Sequence, residues 1–309
     1  MVTRILLGIV GLLLATAVHA ETARVFLDTQ LTGDSDDAHQ NTYLTGYRQA
    51  PANSDGSTAW EAAAGLRILE APAGRESFGA LRGSLQSRLG GIETRLTLNP
   101  LFGDNWNPVL GALTLNRKFG EDWYLEAAAE RELVDTVIAV RARNLINSYS
   151  LSADYRLAYE WTLIGAALLQ TLSDDNTRRG GQLKLSYSPD RFEGLTLQLR
   201  GKRLDSDFRG IGYFSPLQLE EYTALLRYSR PIWNERFRFS TQLTAGVQRV
   251  DAVETSPIYS GEAAVRGFLT EHWGVESKLG AANTGGLDAS AADGAYHYLY
   301  GGINLFYAW

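Results

Sequence analysis

The last fifteen residues of the chain, 295–309, alternate between two kinds of side chain. One parity is apolar and ends on aromatic residues (Leu299, Ile303, Leu305, Tyr307, Trp309), and the other is mixed. Because successive side chains of a strand point to opposite faces, this segment predicts a strand with one apolar face. A strand that ends a chain on an aromatic residue is typical of the closing strand of an outer-membrane β-barrel.

The first twenty residues have the three parts of a secretory signal. Arg4 supplies a positive charge, residues 5–14 are apolar, and Val18-His19-Ala20 ends on small residues. The apolar run is too short to span a bilayer comfortably, which argues against the alternative of a membrane anchor. We therefore expect residues 1–20 to be a cleaved signal peptide and 21–309 to be one barrel domain in the outer membrane of a Gram-negative bacterium.

The rest of the chain has no Cys and no long apolar run, but it contains 15 Tyr and 7 Trp. An exported chain without disulfides needs another source of stability, and a barrel closed in lipid supplies it because every backbone group is paired. Short alternating segments predict an all-β fold, a transmembrane antiparallel up-and-down β-barrel of about 16 strands. A soluble β-sandwich or barrel is the alternative. The predicted strand cores are 23–32, 41–49, 58–69, 76–88, 91–98, 108–118, 122–132, 147–158, 160–172, 180–188, 195–204, 221–230, 236–249, 257–269, 272–282 and 296–309.

The predicted connections alternate in length, as they do in outer-membrane barrels. Gly90-Gly91 and Gly120-Glu121 mark short turns, whereas 133–146 and 205–220 are long. The short turns would lie in the periplasm and the long loops outside. Trp residues near strand ends suggest an interfacial girdle.

The alternate positions of the predicted strands, on the face opposite the apolar one, are rich in Arg and Lys. A charge at the middle of a lipid-facing strand costs about 2–4 kcal/mol, so regularly alternating charges must face the lumen of a barrel. Basic groups outnumber acidic ones, which predicts a lumen that favours anions, although pairing across strands would equally hold the wall together. The residues predicted to line the path are Arg82, Arg88, Arg95, Arg156, Lys184, Arg200, Lys202, Arg227, Arg236, Arg238, Arg266, Tyr298 and Tyr300.

Catalytic patterns are weak in this sequence. It has four His, of which His297 lies near the outer end of the last strand, and there is no G-x-S-x-G, P-loop or HExxH pattern. We predict no enzyme, no metal site and no cofactor; a barrel hydrolase that uses His297 is the weakest alternative.

Three ordered segments resemble a known family. They are residues 131–135 (Arg-Glu-Leu-Val-Asp), 173–178 (Ser-Asp-Asp-Asn-Thr-Arg) and 212–216 (Gly-Tyr-Phe-Ser-Pro). In this order they resemble the C-terminal β-barrels of exopolysaccharide secretion porins of the cellulose and poly-N-acetylglucosamine export type, in a stand-alone form without a tetratricopeptide region. The sequence departs from that pattern at Leu133, where Pro is expected, and at Asp175, where Gly is common.

The resemblance implies a sixteen-stranded barrel that passes an extended glycan. Its partners would be outer-membrane lipid, the polysaccharide, a separate periplasmic tetratricopeptide or scaffold protein, and an inner-membrane synthase. Loop 205–219, with Tyr213, Phe214 and Pro216, is expected to fold inward as a constriction or to cap the barrel outside. Inward Tyr298, Tyr300 and Phe306 would give sugar rings flat surfaces to slide on, or would simply pack in the wall.

These observations together favour a monomeric channel that exports a polysaccharide and that binds no nucleic acid, and they favour an anionic polysaccharide over a cationic one. The alternatives are a diffusion porin for small anions, a structural or anchoring barrel with a plugged lumen, and a lipid-modifying enzyme.

Overall fold

The computed structural model describes residues 23–49, 58–210, 212–251, 255–283 and 297–309. They form a closed barrel of sixteen antiparallel strands, each paired with its neighbours in sequence, and β1 pairs with β16 to close the wall. The predicted fold class is therefore confirmed. The predicted signal peptide lies outside the described residues. The strands are β1 Ala23–Asp34, β2 His39–Gln49, β3 Ala59–Ala71, β4 Gly74–Leu89, β5 Ile92–Gly103, β6 Val109–Phe119, β7 Trp123–Leu133, β8 Leu145–Ala158, β9 Trp161–Leu172, β10 Thr177–Tyr187, β11 Leu195–Ser206, β12 Gln218–Ile232, β13 Phe237–Val250, β14 Thr255–Phe268, β15 Trp273–Ala282 and β16 Tyr298–Ala308.

One short helix, α1 (Val137–Arg141), lies between β7 and β8. In the described part of the chain, no helix is long and apolar enough to cross a membrane.

Every predicted strand matches one of these sixteen. The largest difference is in β5, which was predicted to end at residue 98 but continues to Gly103. Asn99-Pro100 suggested a turn, yet Pro100 lies in the strand opposite Val109. The pairing with β4 skips residues 99 and 100 and resumes at Leu101, so the missing N–H of the proline costs no ladder bond there.

The outward face of the wall is apolar. Leu199 is 61% exposed, and many other large aliphatic side chains on the same face are also exposed. Exposure on this scale is stable only where lipid replaces water, since apolar surface in water costs about 25 cal/mol per Å². The outward aliphatic side chains include Leu31, Leu85, Leu96, Leu113, Leu151, Leu183, Leu243, Leu279 and Ile303.

Aromatic residues form a girdle at the end of the barrel where β1 begins and β16 ends. Four outward Trp residues occupy the first or second position of odd-numbered strands: Trp60, Trp123, Trp161 and Trp273. The Trp123 ring lies 4.5 Å from Tyr155 and the Trp161 ring 4.6 Å from Tyr187, measured between centroids. Connections at this end are short, as at Gly90-Gly91, where positive φ angles of 58° and 80° fit a tight hairpin turn. Short turns and a girdle identify this end as periplasmic.

Contacts between strands that are not neighbours define the inward face. Arg67 on β3 pairs with Glu132 on β7 at 3.3 Å, and the Tyr300 hydroxyl on β16 donates to Glu262 on β14 at 2.8 Å. Side chains on non-adjacent strands can meet only across the concave side of the wall. Since parity is strict along each strand, these contacts fix the inward set.

The sequence alone suggested an inward face that is polar throughout. Part of this face is apolar in the structure. An apolar cluster lies inside the barrel against β1–β6. It runs from Phe26, near the start of β1, to Leu69 and Leu101, near the outer ends of β3 and β5, where it packs against residues of the β7–β8 connection. Its wall residues are Phe26, Leu44, Ala63, Leu69, Phe78, Ala80, Leu101 and Leu110. One side of the barrel interior is thus a hydrophobic core and not a water-filled surface.

Candidate functional site: an inward loop and the passage beside it

The β7–β8 connection, residues 134–144, folds into the barrel and is called here the inward loop. It contains α1, whose N-terminus is capped by Thr136: the Oγ1 atom accepts from the Ala139 backbone N–H at 3.2 Å. Val137 and Val140 are buried against the apolar cluster of the β1–β6 wall. Burial of these two side chains keeps the loop against that wall.

Two arginines fix the inward loop to neighbouring outer connections. Arg141 donates from Nε to Glu76 at 2.8 Å and from Nη1 to the Ala73 carbonyl, which belongs to the short β3–β4 turn. Arg143 donates to the Asn105 carbonyl at 3.0 Å, in the β5–β6 connection. Hydrogen bonds from charged donors are stronger than neutral ones, so the loop is held on one side by the two turns.

The other side of the inward loop contacts the β11–β12 connection. Thr136 Oγ1 donates to the Gly212 carbonyl at 2.6 Å, and Ile138 lies so close that a Cβ atom at Gly212 would be 2.6 Å from its Cγ2. Gly212 also has φ +77°, a conformation that glycine adopts at little cost. A larger residue there would push the two loops apart.

The β9–β10 turn connects these loops into one network. The Tyr213 hydroxyl donates to Asp174 at 2.6 Å and accepts from the Asn176 amide at 3.1 Å, and Asn176 also donates to Ser215 Oγ at 3.0 Å. Arg178 donates to the Phe214 carbonyl at 2.7 Å. The three segments that resemble secretion porins, 131–135, 173–178 and 212–216, therefore meet at the outer mouth.

Tyr213 is 4% exposed, and its burial together with the hydrogen bond to Asp174 raises the pKa of its hydroxyl. A raised pKa keeps the proton on the phenol, so Tyr213 remains a donor to Asp174 over the physiological range. The Arg178 guanidinium lies 5.3 Å from the centre of the same ring. The network is thus a fixed brace rather than a set of mobile side chains.

The element that narrows the lumen is the inward loop, which sequence reasoning did not identify. Tyr213 and Pro216 are buried and Phe214 is half-buried, so the predicted constriction residues brace the loop. One feature of the sequence could have indicated that this loop is buried. The connection was expected to be solvated, yet it contains the apolar residues Leu133-Val134 and Val137–Val140.

Space lies between Asp135 of the inward loop and the opposite wall, β11–β16, and is called here the passage. It includes a cavity of 460 Å³, within the size range of small-molecule sites. The lining is mostly hydroxyl and amide groups, with three tyrosines, one Arg–Glu pair and Asp135 from the inward loop. The polar and aromatic lining residues are Asp135, Gln198, Arg200, Glu221, Thr223, Gln242, Thr244, Tyr259, Ser260, Tyr298 and Tyr300.

The strand register places most of the predicted path residues on the inward face. Arg236 is the exception, because it lies in the turn before β13 and donates to the Leu269 carbonyl at 3.1 Å, near the periplasmic rim. Phe306 faces inward but is 4% exposed beneath the Arg24 guanidinium, so it offers no free ring face. The inward cations and tyrosines of the prediction are Arg82, Arg88, Arg95, Arg156, Lys184, Arg200, Lys202, Arg227, Arg238, Arg266, Tyr298 and Tyr300.

Some of these cations have a carboxylate partner. Arg82 pairs with Asp28 at 3.3 Å and Glu61 at 2.8 Å, and Arg266 pairs with Glu276 at 3.1 Å. These pairs support the structural interpretation of the charges as wall contacts.

The other predicted cations share a carboxylate, bond to a neutral amide or have no carboxylate partner. Arg200 and Lys202 share one carboxylate, Glu221, at 3.4 and 3.3 Å. Arg95 and Arg227 bond to the neutral amides of Gln86 and Gln242. Within the described residues, no carboxylate lies within 4.0 Å of the cations of Arg88, Arg156, Lys184 or Arg238.

The three described His residues lie apart from one another. His272 Nδ1 is 3.0 Å from the Ala308 carbonyl in a periplasmic turn, whereas the His297 backbone N–H donates to Ser35 Oγ at 3.1 Å at the outer rim. Among the residues that the structure describes, no group of three His, Cys, Asp or Glu side chains could hold a metal ion.

Comparison with known proteins gives matches in structure only. No family model matches the chain, and no curated protein matches it. A solved barrel described as "Bacterial polysaccharide outer membrane secretin" superposes with a TM-score of 0.69 at 13% identity, over 94% of this chain and 99% of that one. The crystal structure of Pseudomonas aeruginosa OccK7 (OpdD) superposes with a TM-score of 0.50 at 8% identity, over 93% of this chain and 98% of that one.

The chain is an outer-membrane β-barrel. It lies in the outer membrane of a Gram-negative bacterium, where its apolar belt contacts lipid. At these identities the likeness is one of fold. One of the similar structures is described as a polysaccharide secretin, but this description assigns no cargo to this chain.

Proposed function

We propose that this barrel is a passive channel that exports an anionic polysaccharide, related in function to the exopolysaccharide secretion porins. The observation that supports the proposal best is the passage beside the braced inward loop, in a lumen where Arg88, Arg156, Lys184 and Arg238 face inward with no carboxylate within 4.0 Å among the described residues. A low-dielectric wall concentrates the field of such cations in the lumen, which draws anions in. Hydroxyl and amide groups along the passage can form hydrogen bonds with sugar hydroxyls, and tyrosine rings can contact sugar ring faces. Neither contact would hold the polymer tightly at one place.

The proposal includes partners that the chain itself does not supply. A synthase in the inner membrane would make the polymer, and a periplasmic tetratricopeptide or scaffold protein would deliver it to the short-turn end of the barrel. The barrel would act as a monomer and would carry out no chemistry on its cargo.

A diffusion porin for small anions is the second candidate. It is favoured by the inward loop, which fills one side of the lumen and leaves a narrow passage. The two candidates differ in cargo size, so they can be separated by experiment. A structural barrel with a plugged lumen is the remaining outcome.

Two measurements test the proposal. Planar-bilayer recordings should show conductance, with a reversal potential under a KCl gradient that indicates preference for chloride. Deletion of the gene should reduce secreted polymer, and expression from a plasmid should restore it. Anion-selective conductance with unchanged polymer secretion would leave the small-anion porin, and a folded barrel without conductance would contradict both channel functions.

A further inference from the structure

The lumen contains a pair of like charges that oppose one another directly. Lys184 on β10 and Arg200 on β11 are cross-strand partners on the inward face. Like charges in this position destabilise a sheet. Glu221 accepts from Arg200 and also pairs with Lys202, its cross-strand partner, so these two cations share one carboxylate, while Lys184 has no carboxylate within 4.0 Å among the described residues.

Arg200 is held in place yet not satisfied. Its Nη2 reaches Glu221 at 3.4 Å, while its Nε is buried and has no hydrogen-bond partner. The same side chain lines the 460 Å³ cavity, together with Gln198, Thr223 and Gln242. A buried donor without a partner is costly, and an anionic oxygen bound to the accessible part of the guanidinium would offset the repulsion between Arg200 and Lys184.

A flat aromatic surface lies on the far side of the same cavity. Tyr300 lies directly over Gly280, where a Cβ atom would come within 2.3 Å of the ring, and its hydroxyl is fixed by Glu262. The Tyr298 ring is 5.6 Å from it between centroids, at an angle of 31°. The Lys278 ammonium lies 5.9 Å from the centre of the Tyr300 ring, and both tyrosines are half-buried and line the cavity, so part of each ring faces it.

We propose that this cavity is a saccharide subsite for a sugar that bears an anionic oxygen group, with a hexuronate as the expected unit. The acid group binds Arg200 at the edge of the cavity, where Lys184 is the cross-strand neighbour of Arg200, the ring lies against Tyr300 and Tyr298, and Gln198, Thr223 and Gln242 bind hydroxyls. The subsite rests on the proposed function and names its substrate class: a polymer with regularly spaced acid groups.

The test uses the full-length barrel in detergent and in planar bilayers, with a linear oligouronate of four to six units. Its binding is measured by calorimetry, which needs no conductance, and by block of the ion current. Arg200→Gln and Lys184→Gln should each weaken binding by about tenfold, the effect expected on loss of one charge-assisted hydrogen bond. Arg203→Gln is the matched control, since Arg203 is on the same strand but faces outward, where it pairs with Asp205.

Further variants and ligands separate the contribution of the charged groups from that of the aromatic surface. Tyr300→Leu should weaken binding of both the oligouronate and a neutral cello-oligosaccharide, whereas Arg200→Gln should affect only the acidic one. A sulfated oligosaccharide tests the other source of anionic oxygen; block by either acidic ligand supports the subsite, and the ratio of their constants identifies the preferred acid group. Arg200→Lys, which keeps the charge, should retain most of the binding.

Binding of the oligouronate that is equal in wild type, Arg200→Gln and Lys184→Gln would overturn the subsite, even in a channel that conducts anions. Absence of conductance together with normal binding would instead contradict the proposed function and leave the subsite standing. Heat-modifiable migration on gels confirms that each variant is folded before it is measured.

Discussion

At the scale of single residues, Asn176 is the centre of the brace. Its side chain has no exposed surface, and its amide donates to the Phe208 carbonyl, Tyr213 and Ser215. Asn176→Leu removes these bonds inside a low-dielectric network, at a cost of about 2 kcal/mol. We expect a lower unfolding temperature by circular dichroism in detergent. Asn116→Leu, on the lumen wall of β6, should leave that temperature nearly unchanged, and equal effects of the two substitutions would contradict the assignment.

Asp175 makes a second residue-scale prediction. Its φ angle is +67°, in the left-handed region, which explains why Gly is common at this position in the secretion porins that the sequence resembles. Asp175→Gly should therefore be tolerated, while Asp175→Val should be less stable than the Gly variant by about 1–2 kcal/mol, because a β-branched residue is strained there. Denaturant unfolding of the two variants measures the difference. The idea fails if the Val variant is as stable as the Gly variant.

At the scale of elements, the sequence predicts the strands well and the inward loop poorly. Two-residue alternation is a local property, so all sixteen strands follow from it, as do the inward positions of Lys184 and Arg200. Helix α1 has five residues, which is too short to show a helical period. Its inward position depends on Arg141 reaching Glu76 and on the apolar cluster across the lumen, and neither contact is local in sequence.

The inward loop can be tested as an element. Val140 has no exposed surface and packs in the apolar cluster. Val140→Asn places an amide there without a partner, at a cost of about 2–4 kcal/mol, which should free the loop from the wall. Single-channel conductance should rise, with more current fluctuation, while the barrel itself remains folded because the loop is not part of the sheet. Ala142→Asn, at the exposed C-terminal end of α1, is the control; equal conductance of both variants and the wild type would show that the loop does not limit the passage.

At the scale of the whole molecule, the barrel interior is divided between two physical roles. The β1–β6 wall is apolar at its outer end and supports the inward loop, whereas the β8–β16 wall is polar and cationic and lines the passage. A uniformly polar lumen would give the loop no place to pack. A uniformly apolar one would leave no path for a hydrated polymer, so the division lets one small barrel hold a constriction and a passage together.

The sign of the lumen charge is a property of the whole barrel and makes the last prediction. Arg88, Arg156 and Arg238 come from widely separated strands and face inward near the periplasmic end. Replacing all three with Gln should shift the reversal potential toward cation preference in 0.1 M KCl, where charges act over about 10 Å. In 1 M KCl, where that distance falls to about 3 Å, the shift should largely vanish. The matched triple variant removes three outward cations, Arg117, Arg131 and Arg203, and should leave the reversal potential where it was. An equal shift from the outward triple would mean that overall charge, and not the inward face, sets the selectivity of the pore.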